Sequence, residues 1–430
     1  MVGEWREVTL ADVSADITVG HVGLMADQYV TDGVPFLRSL NVEPFSIKTD
    51  DLKYITRNFH SRLGKSALKP GDVVIVRTGK PGACSVVPDW LTEANCSDLV
   101  IVRLGEQVRP SFLSYVVNST ARHHIDSHTV GAVQQHFNVG SARTLRFMLP
   151  PLIEQDRIIG LLDAVRDKIE LNQRMASTLE AMAHALFRSW FVDFDPVYAK
   201  AENRATSLPD ELAALFPDRF DGSHLPSGWQ RIPISDAFDL VGGGTPKTSV
   251  PEYWHGSVPW FSVVDAPAES APFVLATERN ITQLGLDNCA SALLPTGATI
   301  VSARGTVGRL AIVGVPMAMN QSCYAAIAKE GYSNYFVYYL LRHTLEELKA
   351  RSHGSVFSTI TRQTFASVHS TIPDKKAIVA FDRAVTPLMG RIKAQLQQSR
   401  TLVVLRDTLL PKLISGELRI ADAEAQVSAA

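Results

Sequence analysis

What this chain lacks narrows it first. Cysteine is scarce: Cys84, Cys96, Cys289 and Cys323 are the only four, with no C-x-x-C pair among them. Neither a disulfide framework nor a zinc ribbon is written there, and reduced thiols in a cytosolic protein are the expectation. Net charge is also scarce, at −2 with His neutral. Such a chain cannot attract phosphates over its whole surface and would hold a polyanion only through local patches. No apolar run reaches the ~18 residues of a spanning helix, and the opening MVGEWREVTL has no basic-then-apolar signal. A cytoplasmic location and no membrane partner are expected.

Catalytic constellations are missing as well. LGKSAL (63–68) contains Gly-Lys-Ser, but Phe59 stands where a phosphate loop needs glycine. The only Pro-Pro, in LPPL (149–152), lacks the polar and aromatic neighbours of an adenine methyltransferase motif and reads as a turn before a helix. Glu347 and Lys349 form a Glu-x-Lys with no Pro-Asp shortly before it, so a nuclease core is not indicated. His124 and His128 have the i, i+4 spacing of a zinc pair, without a third ligand in view. The expectation is a non-catalytic chain with no metal and no cofactor of its own.

What is present is ordinary globular composition, 46% hydrophobic and 20% charged, over 430 residues. That length calls for two or more domains. The chain is also written twice. GEWREVTLADV (from 3) returns as GWQRIPISDAF (from 228), and GVPFLRSLNV (from 33) as SVPWFSVVDA (from 257). SALKPGDVVIVRTGKPG (from 66) returns as SALLPTGATIVSARGTVG (from 291), each closing on G-x-x-G, Gly79 to Gly82 and Gly305 to Gly308. GAVQQHFN (from 131) pairs with GSVFSTIT (from 354), and LPPLIEQDRIIG (from 149) with IPDKKAIVAFDR (from 372). Short β-branched runs such as GDVVIVR and ATIVSAR read as strands. PSFLSYVVNSTARHHI and SNYFVYYLLRHTLEELKAR have helical spacing.

After the Pro150 and Pro373 turns both copies run as long helices with a coiled-coil seam. The first seam is Ile158, Leu162, Val165, Ile169, Asn172, Ala176, Leu179, Ala183, Leu186, Trp190. The second is Phe381, Val385, Leu388, Ile392, Gln395, Ser399, Leu402, Arg406, Leu409, Leu413. Each helix of about 35–40 residues is roughly 55–60 Å long and needs a partner for its stripe. A parallel pair would set the modules side by side. An antiparallel pair, about a pseudo-two-fold axis, would gather the polar seam residues into one layer, Asn172 opposite Ser399 and Ala176 opposite Gln395. Such a layer fixes register at some cost in stability; the plainer alternative is a solvated seam position that tolerates an amide. The expected fold is α+β: two similar β-rich modules with helices, separated by two long helices forming an antiparallel coiled coil. Expected boundaries are module 1–149, helix 150–192, linker 193–226, module 227–372, helix 373–418 and tail 419–430. Two unlike modules at a fixed distance suit double-helical DNA, whose grooves return every ~34–36 Å.

At this point the residues resemble a family. ALFRSWFVDFDPVYAKAE (185–202), GGGTPKTSVPEYWHGSVPWF (242–261), LPPLIEQDRI (149–158) and LLPKLISGELRI (409–420) are similar to the specificity subunit of type I restriction–modification enzymes, over nearly the whole chain. The resemblance implies two target-recognition domains, each reading one half of an asymmetric bipartite site in double-stranded DNA. It also implies spacers that dock two methyltransferase subunits and, through them, restriction/translocase subunits. S-adenosylmethionine, ATP and Mg2+ would belong to those partners. One departure is visible: the first copy reads ITVGHVGLMADQYVTDGVPF (17–36) where the second has GGGTP. A coiled-coil adaptor, or a DNA-binding scaffold outside restriction, is the alternative; it leaves two divergent modules without a role.

Candidate DNA contacts follow from residue type. The G-x-x-G loops set flexible backbone beside Arg77, Thr78 and Lys80, and beside Arg304, Thr306 and Arg309; a plain hairpin turn is the alternative. Gln134, Gln135 and His136 in one copy, and Ser355, Phe357, Ser358 and Thr359 in the other, occupy matching places with unlike side chains, as readers of different half-sites should. Thr245 and Lys247 are candidate phosphate contacts. Trp190, Phe191 and Phe194 form an aromatic helix end that is either a partner hot spot or a core covered by the linker.

Overall fold

The computed structural model of the chain describes residues 5–127, 137–352 and 359–428. The chain divides into two compact units, residues 1–169 with 401–430, and residues 170–400. The boundary falls inside both long helices, Leu152–Phe191 and Lys375–Ser415, because each unit's core takes in a portion of each.

In the first unit an antiparallel sheet has the order Cys84–Val86, Val73–Val76, Leu99–Leu104, Ser14–Val19. Its central strands are continuous β-branched runs because both faces are covered. Val73, Ile75, Val100 and Val102 enter one core, with Phe112, Val116 and the helix residues Ile158, Leu162 and Leu413. Val74, Val76, Leu99 and Ile101 enter another with Leu37 and Leu68. A second sheet of five short strands contains one parallel pair, Asn95 opposite Phe36. Two strands close the module: Arg6–Thr9 pairs with Arg146–Leu149, delivering the chain to the Pro150 turn. There Gln155 is fully buried and fully used, accepting from Arg109 N (2.8 Å) and donating to Gln107 O (2.9 Å) and Pro150 O (2.8 Å).

The second unit repeats the plan. Its sheet order is Phe238–Gly242, Cys323–Ala328, Thr299–Ser302, Leu310–Val313, then an added parallel strand Phe273–Val274. The parallel pair recurs as Trp260 opposite Ala318, and the closing pair as Gln230–Pro233 with His369–Ile372. The two expected module helices are present as Pro110–Ser127, with proline at the first position, and Asn334–His343, whose Ser333 hydroxyl accepts from Phe336 N at 3.1 Å. A break at Thr344 separates the latter from Leu345–Ala350.

The long helices pair antiparallel within each unit. In the first, Ile158 and Leu162 share a core with Leu409 and Leu413, and Val165 and Ile169 with Leu402. In the second, Ala176, Ala183 and Trp190 share one with Ile392, Val385 and Phe381. Every one of these seam residues is buried. Among the described residues no helix is long and apolar enough to cross a membrane.

Candidate nucleic-acid interface

The glycine-rich stretch of the second unit is built by close backbone approach. A Cβ on Gly243 would lie 1.9 Å from Asn320 O, and one on Gly244 2.6 Å from Ser291 N, so neither position admits a side chain. Gly243 and Gly244 donate to Cys323 O (3.3 Å) and Met319 O (2.9 Å). This holds Thr245 where its hydroxyl meets the Gln321 side chain. Lys247 is exposed, and its carbonyl accepts from Trp254 Nε1 at 3.3 Å. Over the Trp254 ring lies the Arg279 guanidinium, 3.8 Å from the centroid, a stacked cation that the sequence reading missed.

In the first unit the counterpart is Gly20–His21. Gly20 donates to Leu99 O (2.8 Å) and His21 to Cys96 O (2.7 Å), the equivalent pair of bonds. A side chain thus stands where the other copy needs glycine, and beyond it Val22 and Leu24 are exposed. The missing GGGTP leaves the backbone path intact and changes what it presents.

Both G-x-x-G loops are hairpin turns, with all four glycines in the left-handed region at φ +85°, +88°, +74° and +85°. Their charges differ. Arg77 pairs with Asp98 at 3.2 Å, Thr78 also bonds Asp98, and Lys80 pairs with Glu43 at 2.9 Å. In the second unit Arg304 and Thr306 are exposed, and Arg309 donates to Pro267 O at 3.3 Å. Among the described residues no carboxylate pairs with Arg304 or Arg309. One loop is half neutralised; the other presents open positive charge.

Gln134, Gln135, His136, Ser355, Phe357 and Ser358 lie outside the described residues, as does His128. Where the chain is next described, Phe137 N donates to Arg77 O (3.2 Å) and Ile360 N to Ala303 O (3.0 Å). Phe137 and Ile360 are both fully buried. Phe137 and Ile360 thus bond the residue two positions before the first glycine of their own unit's G-x-x-G loop, and Thr359, just before Ile360, is half-buried.

The polar seam is real and dry. Asn172 is 1% exposed, Gln395 3%, Ser399 7% and Ala176 0%, which removes the solvated alternative. The polar contacts across the layer run to the residues next to the expected facing partners. Asn172 Nδ2 donates to Gln398 Oε1 at 3.0 Å, and Gln395 Nε2 approaches Met175 Sδ at 3.8 Å. Asn172 Oδ1, Gln395 Oε1 and Ser399 Oγ have no partner. Gln398 lies off the seam at the helix flank, where a long amide reaches in.

The aromatic helix end packs inward. Trp190 and Phe191 are 2% and 4% exposed, packed edge-on against Phe216 and Phe381 at 5.2 and 5.4 Å. Phe194 packs on Trp229 at 5.7 Å. Phe216 of the linker covers Trp190, and Trp190 and Phe191 belong to the core, while Phe194 is half-buried. The sequence reading also missed Arg342, paired with the buried Glu180 beside Tyr339, and exposed Leu40 and Val264. A polar residue off the seam and an aliphatic in a turn carry no periodicity signal. Among the described residues no group of three or more His, Cys, Asp or Glu is placed to hold a metal.

Comparison with known proteins bears on this arrangement. Residues 226–398 match the family model of the type I restriction modification DNA specificity domain. The HindI specificity subunit of a Haemophilus influenzae type I restriction enzyme is 26% identical, the alignment covering 97% of this chain and 100% of that one. The MjaIX specificity subunit of Methanocaldococcus jannaschii is 32% identical over 36% of each chain. The crystal structure of a type I restriction-modification S subunit from M. genitalium aligns over 96% of both chains with a TM-score of 0.55 at 13% identity, a likeness of fold.

Proposed function

We propose that this chain, similar along its length to the HindI specificity subunit and matched over residues 226–398 by the type I restriction modification DNA specificity domain, reads the two halves of one bipartite DNA site with its two modules. It is the specificity subunit, the non-catalytic DNA-recognition component of such a system. The recognition domains are residues 1–149 and 227–372; the spacer helices 150–192 and 373–418 set the gap between half-sites and carry two methyltransferase subunits. Restriction/translocase subunits join through those partners, which bring S-adenosylmethionine, ATP and Mg2+.

The observation that carries this reading is that one loop site is built twice with different contents. In each module a G-x-x-G hairpin, the glycine stretch or its counterpart, and the residue that follows the variable segment, Phe137 or Ile360, make equivalent backbone bonds. The scaffold repeats while Arg77, Thr78 and Lys80 in one copy correspond to the unlike set Arg304, Thr306 and Arg309 in the other. Backbone and basic groups at such a site position a duplex, and side chains differing between copies read different bases.

Near-zero net charge makes the chain alone a weak DNA binder. Labelled DNA titrated with the chain, with and without its methyltransferase subunits, tests this. Affinity and sequence preference should rise with the partners; nanomolar specific binding by the lone chain contradicts it. Mapping methylated adenines in host DNA should return two short half-sites separated by a fixed unread gap. A continuous or single-half motif overturns the two-reader proposal.

A further inference from the structure

In each unit a short turn holds an aliphatic side chain out in water. Leu40 and Val264 are each 75% exposed, and they occupy one position of the repeat, GVPFLRSLNV against SVPWFSVVDA. Single exposed aliphatics are ordinary. These two are distinguished by how firmly they are held. The turn Ser39–Asn41 is closed by Asn41 Oδ1, which accepts from Arg38 N at 3.0 Å, while Asn41 itself is 1% exposed and donates to Lys48 O at 3.3 Å. Arg38 in turn bonds the Asp51 carboxylate at 2.9 Å. The turn Val263–Asp265 is closed by Asp265, which accepts from Ser262 N at 2.8 Å and from Glu278 N at 2.6 Å.

Their surroundings are equivalent too. Just before Leu40, Leu37 O accepts from Ser97 N at 3.0 Å; just after it, Glu43 pairs with Lys80 at 2.9 Å. Just before Val264, Phe261 O accepts from Asn320 N at 2.9 Å; just after it, Pro267 O accepts from Arg309 at 3.3 Å. Each aliphatic stands between its G-x-x-G loop and the turn that carries Asp98 or Gln321. It is an exposed apolar point beside the candidate contact residues.

We propose that Leu40 and Val264 are apolar prongs that enter the groove of the bound duplex and pack on base edges, with the thymine methyl as the group each recognises. The inference rests on the DNA-reading function proposed above. Hydroxyls, amides and guanidinium groups serve the donors and acceptors of a base edge, whereas the thymine methyl needs an aliphatic neighbour. A prong carries no charge, so it adds affinity without releasing counterions.

The test uses the full chain assembled with its methyltransferase subunits on the site found by adenine mapping. DNA affinity is measured across a salt series for Leu40→Ser, Val264→Ser and Leu40→Val, with melting temperatures checked for each. Each serine variant should bind about tenfold more weakly with an unchanged salt slope, and Leu40→Val should keep most of the affinity. Replacing thymine by uracil within a half-site should weaken the wild type and leave the serine variant of that half unaffected. Wild-type affinity in the serine variants, an altered salt slope, or a uracil effect equal in wild type and variant overturns the inference. Arg304→Ala in the same series separates the two claims. If it weakens binding while the prong variants do not, only the prongs fail; if neither it nor the prong variants change binding, the DNA-reading function fails with them.

Discussion

Asn172 donates its amide to Gln398 at 3.0 Å while its own carbonyl oxygen, buried in the same helix pair, meets no partner. Gln395 Oε1 and Ser399 Oγ are in the same condition. A buried acceptor left unpaired costs about 1–3 kcal/mol, so this layer is present at the expense of stability, as register-fixing polar layers are. Replacing Asn172 and Gln395 together by leucine should raise the melting temperature by at least about 4 °C. Gln398, exposed at the flank, can turn to water. Hydrogen exchange along residues 170–180 should quicken as register loosens. A lower melting temperature with unchanged exchange would show that the layer stabilises the pair and sets nothing.

The two G-x-x-G loops should differ in their salt response. Among the described residues Arg304 and Arg309 are without a carboxylate partner, whereas Arg77 already pairs with Asp98 at 3.2 Å and Lys80 with Glu43 at 2.9 Å. Arg304→Ala and Arg309→Ala should each lower the salt slope of DNA binding by about 1, and Arg77→Ala by less. Asp98→Asn should strengthen non-specific binding by releasing Arg77. Equal slopes in all four variants would remove these loops from the phosphate contacts.

The duplicated plan, the strands and the seam were legible because they rest on periodicity and self-similarity, which tertiary context rarely overrides. Val73–Val76 reads as a doubly covered strand, and it separates two cores. Three things were not legible. Asn172 bonds Gln398 because partner choice in a seam depends on side-chain length beyond the heptad. Trp190 was open between core and interface because the linker's return over it, through Phe216, is a long-range contact. Arg279, just before the strand Asn280–Ile281, lies over Trp254 of another strand, a pairing that no local spacing announces.

The residue that follows the variable stretch of the first module, Phe137, donates its N–H to Arg77 O. Gln134→Ala with Gln135→Ala should relax base preference in one half-site by ~10-fold or more, since a bidentate amide–adenine contact is worth about 1–3 kcal/mol, and leave the other half intact. Adenine mapping with the variant reads both halves at once. Equal loss in both halves would point to folding damage.

The second unit should lose stability toward acid. His184 stacks on Tyr339, with ring centroids 6.1 Å apart, and His343 lies against Phe187 at 6.4 Å. Burial holds both imidazoles below their ordinary value of 6.5, and the guanidinium of Arg188, joined at His184 by that of Arg342, pushes the same way. Glu269 opposes this at His184, and Asp193 and Glu347 oppose it at His343. A depressed histidine contributes stability that is full above the unfolded value and is lost as pH falls through the folded one. The loss should begin near pH 6.5 and continue below it. Glu180 acts with the opposite sign: burial raises its carboxyl against the pull of Arg342, so its contribution is full below about 4.5 and fades as pH rises. Melting temperature followed from pH 7 to 5 should fall in the wild type and flatten in His184→Gln with His343→Gln. Glu180→Gln should steepen the fall, because the compensating proton uptake is gone. An unchanged slope in the histidine double variant would assign the acid loss to other groups.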